Sequence, residues 1–169
     1  MDKVALFPGS FDPFTLGHKV IVDQGLGIFD RIVVGIGANE QKAAEQKANE
    51  QNGQKRGLLT IANRKRLIED IFRNNSRVEV QPYSSLTGEF CRRLGIRFIL
   101  RGMRNTVDYE YERSIMLVNQ KLYPEITTVL LFTPPEYVAI SSSIIRELVS
   151  FGLDPTELMP NNIDIKNYL

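Results

Sequence analysis

The sequence predicts an α/β domain of the doubly wound class, in which helices cover both faces of a five-stranded parallel sheet. Two observations predict this class. Five short apolar runs alternate along the chain with longer segments of helical periodicity. The run RIVVGIG at 31–37 is apolar at nearly every position, which is typical of strands covered on both faces. This order of elements favours right-handed crossovers between parallel strands.

Each element has its own local pattern. Apolar runs predict strands at 3–7, 31–37, 77–81, 96–100 and 126–132. Apolar residues spaced for one helical face predict helices at 16–29, 60–75, 87–95 and 107–123. Gly95 is expected to end the third of these helices. Closing helices are predicted at 142–152 and 163–169.

Length and composition predict a single domain over 1–169. The chain is long enough for one core and too short to expect two. Hydrophobic residues make up 43% and charged residues 24%, which argues against a disordered chain or a disulfide scaffold. One polar segment at about 40–57, rich in Gln, Asn, Ala and Lys, interrupts the pattern. We predict an inserted loop there, with a short exposed helix around KAAEQKA as the alternative.

Charge and cysteine content argue against several classes of function. Twenty-one Lys and Arg against twenty Asp and Glu leave almost no net charge, so no nucleic-acid-binding surface is expected. Cys91 is the only cysteine, so it forms no disulfide within the chain and is expected to be a buried thiol. No signal-peptide pattern or long apolar segment is present, so we expect a cytoplasmic protein without a membrane partner.

Four segments that follow predicted strands carry the chemistry of a phosphate site. In open parallel sheets, ligands bind beyond the carboxyl ends of the strands. The segments there contain hydroxyls, cations and backbone donors freed by glycine. They are PGSFDPFTLGH at 8–18, GANEQK at 37–42, RGMR at 101–104 and TPPEYVAISSS at 133–143.

His18 is the only histidine, and the local pattern leaves its role open. Thr15 is placed to cap the following helix, which puts His18 in the first turn near the positive end of the helix dipole. An imidazole there is expected to be neutral and able to donate one hydrogen bond to a phosphate oxygen. The alternative is a partly buried packing residue. A metal site is disfavoured because no second His or Cys is available to complete it.

The other polar residues also have purely structural alternatives. Arg101 and Arg104 could pair with the acidic residues of 108–112 on the surface. The serines at 141–143 could cap a helix, although capping needs one hydroxyl and the run supplies three. NRKR at 63–66 is expected to be a solvated helix face. Asp12 could assist a metal, but we favour a turn-forming role before Pro13.

Three segments, in the right order, resemble a known family. PGSFDPFTLGH resembles the N-terminal motif of the nucleotidyltransferase superfamily, in which a threonine or histidine precedes a Gly-His pair; here these are Thr15, Gly17 and His18. RGMRNTVDYEYE at 101–112 and ISSSIIRE at 140–147 narrow the resemblance to phosphopantetheine adenylyltransferases. The resemblance covers nearly the full length and implies a Rossmann-like fold.

The resemblance also implies a reaction and its partners. ATP and 4′-phosphopantetheine would give dephospho-coenzyme A and pyrophosphate in coenzyme A biosynthesis, with Mg²⁺ as cofactor and no assigned metal ligands in the protein. Dephospho-coenzyme A and coenzyme A are implied as product or inhibitor, and a homohexamer as the assembly. The residues present fit this chemistry, because a phosphate monoester with a second pKa of about 6 needs no general base.

Functional residues carry over from the family by position. His18, Lys42 and Arg101 are implied to be catalytic, with His18 at the α-phosphate and the two cations at the acceptor phosphate. Acceptor binding is implied for Ser10, Lys42, Thr87 and Arg101. The residues implied to bind ATP are Ser10, Phe11, His18, Gly102, Met103, Arg104, Glu112, Tyr137, Val138, Ala139, Ile140, Ser141, Ser142 and Ser143.

Departures from the family pattern keep alternatives open. The polar insertion follows Lys42 directly, so Lys47 or Lys55 could take the lysine role. Thr87 stands where the family often has a larger apolar residue. Two other functions remain possible: a related nucleotidyltransferase that uses another phosphate acceptor, and a non-catalytic nucleotide-binding module. RGMR and DYEYE favour the phosphopantetheine enzyme.

Overall fold

The computed structural model describes residues 2–38 and 57–169. Within these ranges the strands are β1 (Val4–Gly9), β2 (Arg31–Gly37), β3 (Val78–Tyr83), β4 (Phe98–Met103) and β5 (Thr127–Phe132). The α-helices are α1 (Leu16–Gly25), α2 (Ile61–Ile71), α3 (Thr87–Leu94), α4 (Thr106–Leu122) and α5 (Ser142–Ser150). All strand pairs are parallel, which confirms the predicted fold class.

The strand order places a ligand crevice beside β1. The sheet runs β3-β2-β1-β4-β5, so the chain builds outward from β1 to β3 and then crosses back to β4 on the other side of β1. Such a reversal leaves a crevice at the carboxyl ends of the two strands where it occurs. The loops after β1 and β4 therefore meet at one edge of the sheet.

Helices pack on both faces of the sheet, as predicted. Side chains of β1 alternate, so that Ala5 and Phe7 join one buried cluster and Leu6 joins the other. The first cluster contains residues of α1, α2, α5 and the C-terminal tail. The second contains Phe90 and Cys91 of α3. Cys91 is buried, as expected, and burial raises the pKa of its thiol to about 12.

Three strands extend further than their apolar runs predicted. Pro8 and Gly9 belong to β1, Pro82 and Tyr83 to β3, and the segment 101–103 to β4. Backbone pairing continues through Gly9 with Ile36 and through Met103 with Phe132. The prediction was wrong here because ladder hydrogen bonds do not depend on whether the side chains are apolar.

The C-terminal tail differs from the predicted closing helix. It forms short 3-10 helices at Thr156–Leu158, Pro160–Asn162 and Ile165–Tyr168. The predicted helix at 163–169 is only a 3-10 helix that begins at Ile165, because Asp164 has an extended backbone and its carboxylate accepts from the Lys166 N–H over 2.9 Å. Ahead of it, the side-chain amide of Asn161 donates to the Ile71 carbonyl over 3.0 Å. The tail thereby covers the end of α2. The predicted polar loop lies, apart from Gly57, outside the described residues.

Candidate active site

The β1–α1 loop fixes the imidazole of His18 by a capping interaction. Thr15 is the N-cap of α1, and His18 is the third residue of the helix. The backbone N–H of Thr15 donates to Nδ1 of His18 over 3.0 Å, and Thr15 Oγ1 lies 3.0 Å from the same nitrogen. A backbone N–H can only donate, so Nδ1 is unprotonated and the neutral ring carries its proton on Nε2.

His18 is neutral at physiological pH, as the sequence predicted, but for a different reason. Burial, followed by the positive charges of Arg104 and Arg101, lowers its pKa from 6.5 to about 4. The Phe11 ring meets the imidazole edge-on at 5.2 Å between centroids, and the Phe14 ring lies at 5.2 Å. Apolar packing and two nearby cations thus lower the pKa, whereas the sequence alone indicated the helix dipole. The ring remains a donor through Nε2–H.

Phe11 has a buried side chain and an unusual backbone conformation. Its side chain is 2% exposed, and its backbone has a positive φ of 49°. Any contact between residue 11 and a substrate would therefore come from its backbone. Ser10, the preceding residue, is exposed at the carboxyl end of β1, which is where a substrate could reach its hydroxyl.

Gly17 brings the segment Tyr137–Ile140 against the start of α1. A Cβ added to Gly17 would lie 2.9 Å from the carbonyl oxygen of Ile140 and 3.6 Å from that of Tyr137. Only glycine allows this approach. The structure thus places the predicted nucleotide segment, Tyr137, Val138, Ala139 and Ile140, next to the motif that contains His18.

Each serine of the 141–143 run has a partner within the protein. Ser141 is the N-cap of α5, and its Oγ accepts from the backbone N–H of Ile144 over 3.3 Å. The hydroxyl of Ser142 donates to the Pro13 carbonyl over 2.8 Å. Ser143 Oγ accepts from Arg146 over 3.1 Å. The run therefore caps α5 and also ties it to the β1–α1 loop, while its role toward ATP stays a prediction.

Arg101 is held by Glu112 and by the end of β1. Its Nε donates to Glu112 Oε2 over 2.7 Å, its Nη2 pairs with the other carboxylate oxygen, and its Nη1 donates to the Pro8 carbonyl over 2.6 Å. Glu112 is 6% exposed and is the one buried residue of α4. The predicted ATP residue Glu112 thus fixes the guanidinium of the predicted acceptor residue Arg101.

Arg104 forms the second arginine–carboxylate pair of this edge. Its Nε donates to Asp108 Oδ2 over 3.0 Å, and Asn105 caps α4 by accepting from the Asp108 N–H over 2.9 Å. Both arginines therefore pair with acidic residues of 108–112, the structural alternative that the sequence offered, although Glu112 is buried and not on the surface. The pairs also orient two guanidiniums near His18, whose pKa they lower. Gly102 precedes Met103 on β4 and allows α1 to pack closely there, because a Cβ added to Gly102 would lie 2.8 Å from the Ile21 side chain. Met103 is buried.

A cavity of about 160 Å³ opens beside Arg101 and Thr87. Apolar side chains cover much of its wall, while Thr87, Asn119 and the Arg101–Glu112 pair supply polar groups. Tyr83 also lines the cavity and contacts Thr87 through oxygens 3.0 Å apart. Its remaining lining residues are Pro8, Gly9, Ile99, Ile115, Met116 and Thr128. The two predicted acceptor residues, Thr87 and Arg101, therefore share one cavity.

The structure qualifies one prediction about charged residues and corrects another. Asp12 and Pro13 lie in a turn, as expected, but the Asp12 side chain does not bond within it: its carboxylate accepts from the backbone N–H groups of Leu58 and Leu59 over 2.9 and 2.7 Å. Arg64 does not belong to a solvated face, since its side chain is 15% exposed and pairs with Asp12 over 3.2 Å. Periodicity alone could not reveal this pair, because its partners are far apart in the sequence.

Two further features concern only the described part of the chain. Across residues 2–38 and 57–169, no group of three or more His, Cys, Asp and Glu residues is placed to hold a metal ion. None of the helices in these ranges has both the length and the hydropathy needed to cross a membrane. Lys42, Lys47 and Lys55 lie outside the described residues.

Comparison with known proteins identifies the family. The cytidylyltransferase-like family matches residues 6–148. The chain is 42% identical over 161 residues to a phosphopantetheine adenylyltransferase of Phocaeicola vulgatus, covering 95% of this chain and 97% of the relative. The chain belongs to the phosphopantetheine adenylyltransferase family. A member from Bacteroides thetaiotaomicron is 38% identical over 163 residues, covering 96% of this chain and 99% of the relative.

The fold of this phosphopantetheine adenylyltransferase family member is similar to that of a solved structure. A bifunctional NMN adenylyltransferase/ADP ribose pyrophosphatase from Francisella tularensis superposes with a TM-score of 0.67. The superposition covers 98% of this chain and 47% of that protein, at 15% sequence identity. At this identity the similarity concerns the fold alone.

Proposed function

We propose that this protein transfers the adenylyl group of ATP to 4′-phosphopantetheine, giving dephospho-coenzyme A and pyrophosphate in coenzyme A biosynthesis. The observation that carries the proposal is the near full-length match to phosphopantetheine adenylyltransferases. The position of His18 and Arg101 at one edge of the sheet supports it. We expect a protein that carries out this reaction to be located in the cytosol.

The proposed chemistry needs charge stabilisation and no general base. One oxygen of the acceptor phosphate attacks the α-phosphorus, a new P–O bond forms, and the bond to the bridging oxygen of pyrophosphate breaks. The acceptor phosphate is largely dianionic at neutral pH. The Nε2–H of His18 would donate to a nonbridging α-phosphate oxygen, where negative charge increases in the transition state. A neutral donor suits this task, because it needs no proton transfer.

The cavity beside Arg101 suits an acceptor with a phosphate at one end and a narrow amide-containing chain. The Arg101 guanidinium would bind the phosphate, sharing its donors with Glu112. Apolar side chains such as Ile115 and Met116 would contact the pantetheine chain of the acceptor, and Thr87 and Asn119 would form hydrogen bonds with its amides. Coenzyme A and dephospho-coenzyme A carry the same chain, so they would compete for this cavity as inhibitor and product.

The lysine of the acceptor site is proposed to be Lys42, with Lys47 and Lys55 as alternatives. Three single Lys→Ala variants distinguish them, because only the lysine that contacts the acceptor phosphate should change turnover strongly. Equal, small effects at all three positions would contradict the assignment of this role to any of them.

We propose that Mg²⁺ enters the site on the ATP phosphates. Mg²⁺ retains several waters and often binds through substrate phosphates instead of a protein cage. The carboxylate of Asp12 is already engaged by two backbone N–H groups and Arg64. The metal would neutralise phosphate charge. Activity with ATP should depend on Mg²⁺, whereas removal of Mg²⁺ should leave the melting temperature of the protein alone unchanged.

We also propose self-association, as a homohexamer, through α4 and its neighbours. Only Glu112 of this 17-residue helix is buried, and the exposed apolar side chains are too many for an ordinary solvated helix. They include Val107, Tyr111, Leu117, Val118 and Leu122, and Phe132 at the end of β5 is exposed as well. Native mass spectrometry should find six times the 19.2 kDa chain mass. A monomer that Val118→Asp leaves unchanged would contradict the proposal.

The function is tested by offering ATP and Mg²⁺ with a panel of phosphate acceptors. Mass spectrometry should find dephospho-coenzyme A with 4′-phosphopantetheine, and no adenylylated product with nicotinamide mononucleotide. Product from another acceptor alone would identify a related nucleotidyltransferase. ATP binding without pyrophosphate release from any acceptor would identify a non-catalytic module.

A further inference from the structure

The β1–α1 loop, residues 10–15, is held by side chains that come from distant parts of the chain. The Ser10 carbonyl accepts from Arg64 Nη1 over 3.2 Å, and the Asp12 carbonyl accepts from Arg146 Nη1 over 2.7 Å. The Pro13 carbonyl accepts from Ser142. Carbonyl groups in a buried loop need partners. Here α2 and α5 supply them, so the shape of the loop depends on both helices.

Arg64 connects three points with one guanidinium. Besides Ser10, its Nη2 pairs with the Asp12 carboxylate over 3.2 Å, and its Nε donates to the Leu59 carbonyl over 2.9 Å. Asp12 in turn accepts from the N–H groups of Leu58 and Leu59. A planar fork with several donors can satisfy these points together, whereas an ammonium cannot reproduce the geometry.

The packing around this cluster leaves little freedom for the Asp12 carboxylate. A Cβ added to Gly57 would lie 1.9 Å from Asp12 Oδ2 and 3.0 Å from Arg64 Nη2. Asp12 and Arg64 side chains are 8% and 15% exposed. Phe11, between Ser10 and Asp12, has a positive φ, a conformation that persists only when the surroundings enforce it.

We propose that Arg64 is a positioning residue for adenylyl transfer. By holding the Ser10 carbonyl and the Asp12 carboxylate, it sets the path of the loop that ends at Thr15 and His18. This inference rests on the proposed function, and it adds a residue on α2 that touches none of the predicted substrate-binding side chains directly. A loop displaced by about 1 Å can lower a rate by roughly 100-fold, because reacting groups lose alignment.

Arg64→Lys tests the proposal, with Arg66→Lys as the matched control on the same helix. Arg66 donates to the Asn167 carbonyl over 3.1 Å and lies over the Tyr168 ring, away from the loop. In Arg64→Lys the new ammonium would keep the charge beside Asp12 but lose the fork. We expect kcat to fall roughly 10- to 100-fold with little change in either KM. Arg66→Lys should keep the wild-type kcat.

His18 gives a second readout that does not require turnover. It is the only histidine, so its imidazole NMR signals need no assignment. Arg64→Lys should shift these signals and their titration, and Arg66→Lys should not. If the wild-type enzyme makes no dephospho-coenzyme A, the proposed function fails while these spectra still decide the role of Arg64.

Gly57→Ala is the second variant, for use if Arg64→Lys does not fold. It presses on the Asp12 carboxylate without removing a charge, and it should shift the same His18 signals. A folded Arg64→Lys, or a folded Gly57→Ala in its place, that has a lowered melting temperature but wild-type kcat and His18 spectra would overturn the proposal and leave this cluster a structural role only.

Discussion

Nδ1 of His18 accepts a hydrogen bond from the backbone N–H of Thr15, its own helix N-cap, over 3.0 Å. The bond fixes both the ring orientation and the position of the proton. The ring then offers Nε2–H as a neutral donor at the helix N-terminus, where an anion is favoured. One local contact thus converts the only histidine of the chain into an oriented hydrogen-bond donor.

The first prediction concerns the protonation of His18. NMR titration of the ¹³C,¹⁵N-labelled protein should give a pKa of about 4 and the Nε2–H tautomer at pH 7. Burial is the main cause of the low pKa, with Arg104 and Arg101 adding to it. A pKa near 6.5, or a proton on Nδ1, would contradict the described hydrogen bond to Thr15.

The same shift predicts how stability depends on pH. The folded-state pKa of His18 lies below its unfolded value of 6.5, so the unfolded state takes up the proton first as pH falls. His18 should therefore stabilise the fold above pH 6.5 and lose this contribution progressively toward pH 4. His18→Gln keeps an acceptor for the Thr15 N–H but does not titrate. Between pH 6.5 and 4, the melting temperature of wild type should fall further than that of His18→Gln. Equal falls in the two proteins would show that His18 does not cause the pH dependence of stability.

A third prediction separates binding from stability at Arg101. Arg101→Ala should raise the KM for 4′-phosphopantetheine roughly 10- to 100-fold, because a charge-assisted hydrogen bond contributes about 1.5–3 kcal/mol. It should also lower the melting temperature, since Glu112 is left buried without its cation. Arg101→Ala combined with Glu112→Gln should recover stability but not KM. If the double variant recovered both the wild-type melting temperature and the wild-type KM, Arg101 would have a structural role only.

A fourth prediction concerns the close approach at Gly17. Gly17→Ala should weaken ATP binding, because the added methyl pushes the Ile140 carbonyl and the segment 137–140 away from α1. Gly95→Ala is the control: Gly95 ends α3 with a positive φ and has open space around its Cβ position. It should cost about 1 kcal/mol of stability without a change in ATP affinity. Calorimetry compares the two, and equal ATP affinities would contradict the proposed nucleotide segment.

Much of the fold was predictable from the sequence, because its strands and helices have strong local patterns. RIVVGIG becomes the interior strand β2, and Gly95 ends α3 as expected. The ends of β1 and β4 were misplaced, because polar and glycine residues continue the ladder without an apolar signal. The helix predicted at 163–169 was wrong because Asp164 keeps an extended backbone and caps only the short 3-10 helix Ile165–Tyr168.

The site was predictable where a motif is local and hidden where it is assembled over distance. Thr15 and His18 are three positions apart, so their capping relationship follows from spacing. The sequence offered the acidic residues of 108–112 as partners of Arg101 and Arg104 without assigning pairs, and the structure pairs Arg101 with Glu112 and Arg104 with Asp108. Asp12 and Arg64 are far apart in the sequence, so their contact left no local signal: the sequence indicated the turn at Asp12 but placed Arg64 on a solvated face.

The central claim is that His18 promotes adenylyl transfer to 4′-phosphopantetheine as a neutral donor. The most direct test measures dephospho-coenzyme A formed by wild type and by His18→Ala, with circular dichroism to establish that both are folded. We expect product from wild type, and a kcat lower by roughly 100- to 1,000-fold in the variant with a similar ATP affinity. A folded His18→Ala with wild-type kcat would contradict the claim and make His18 a packing residue.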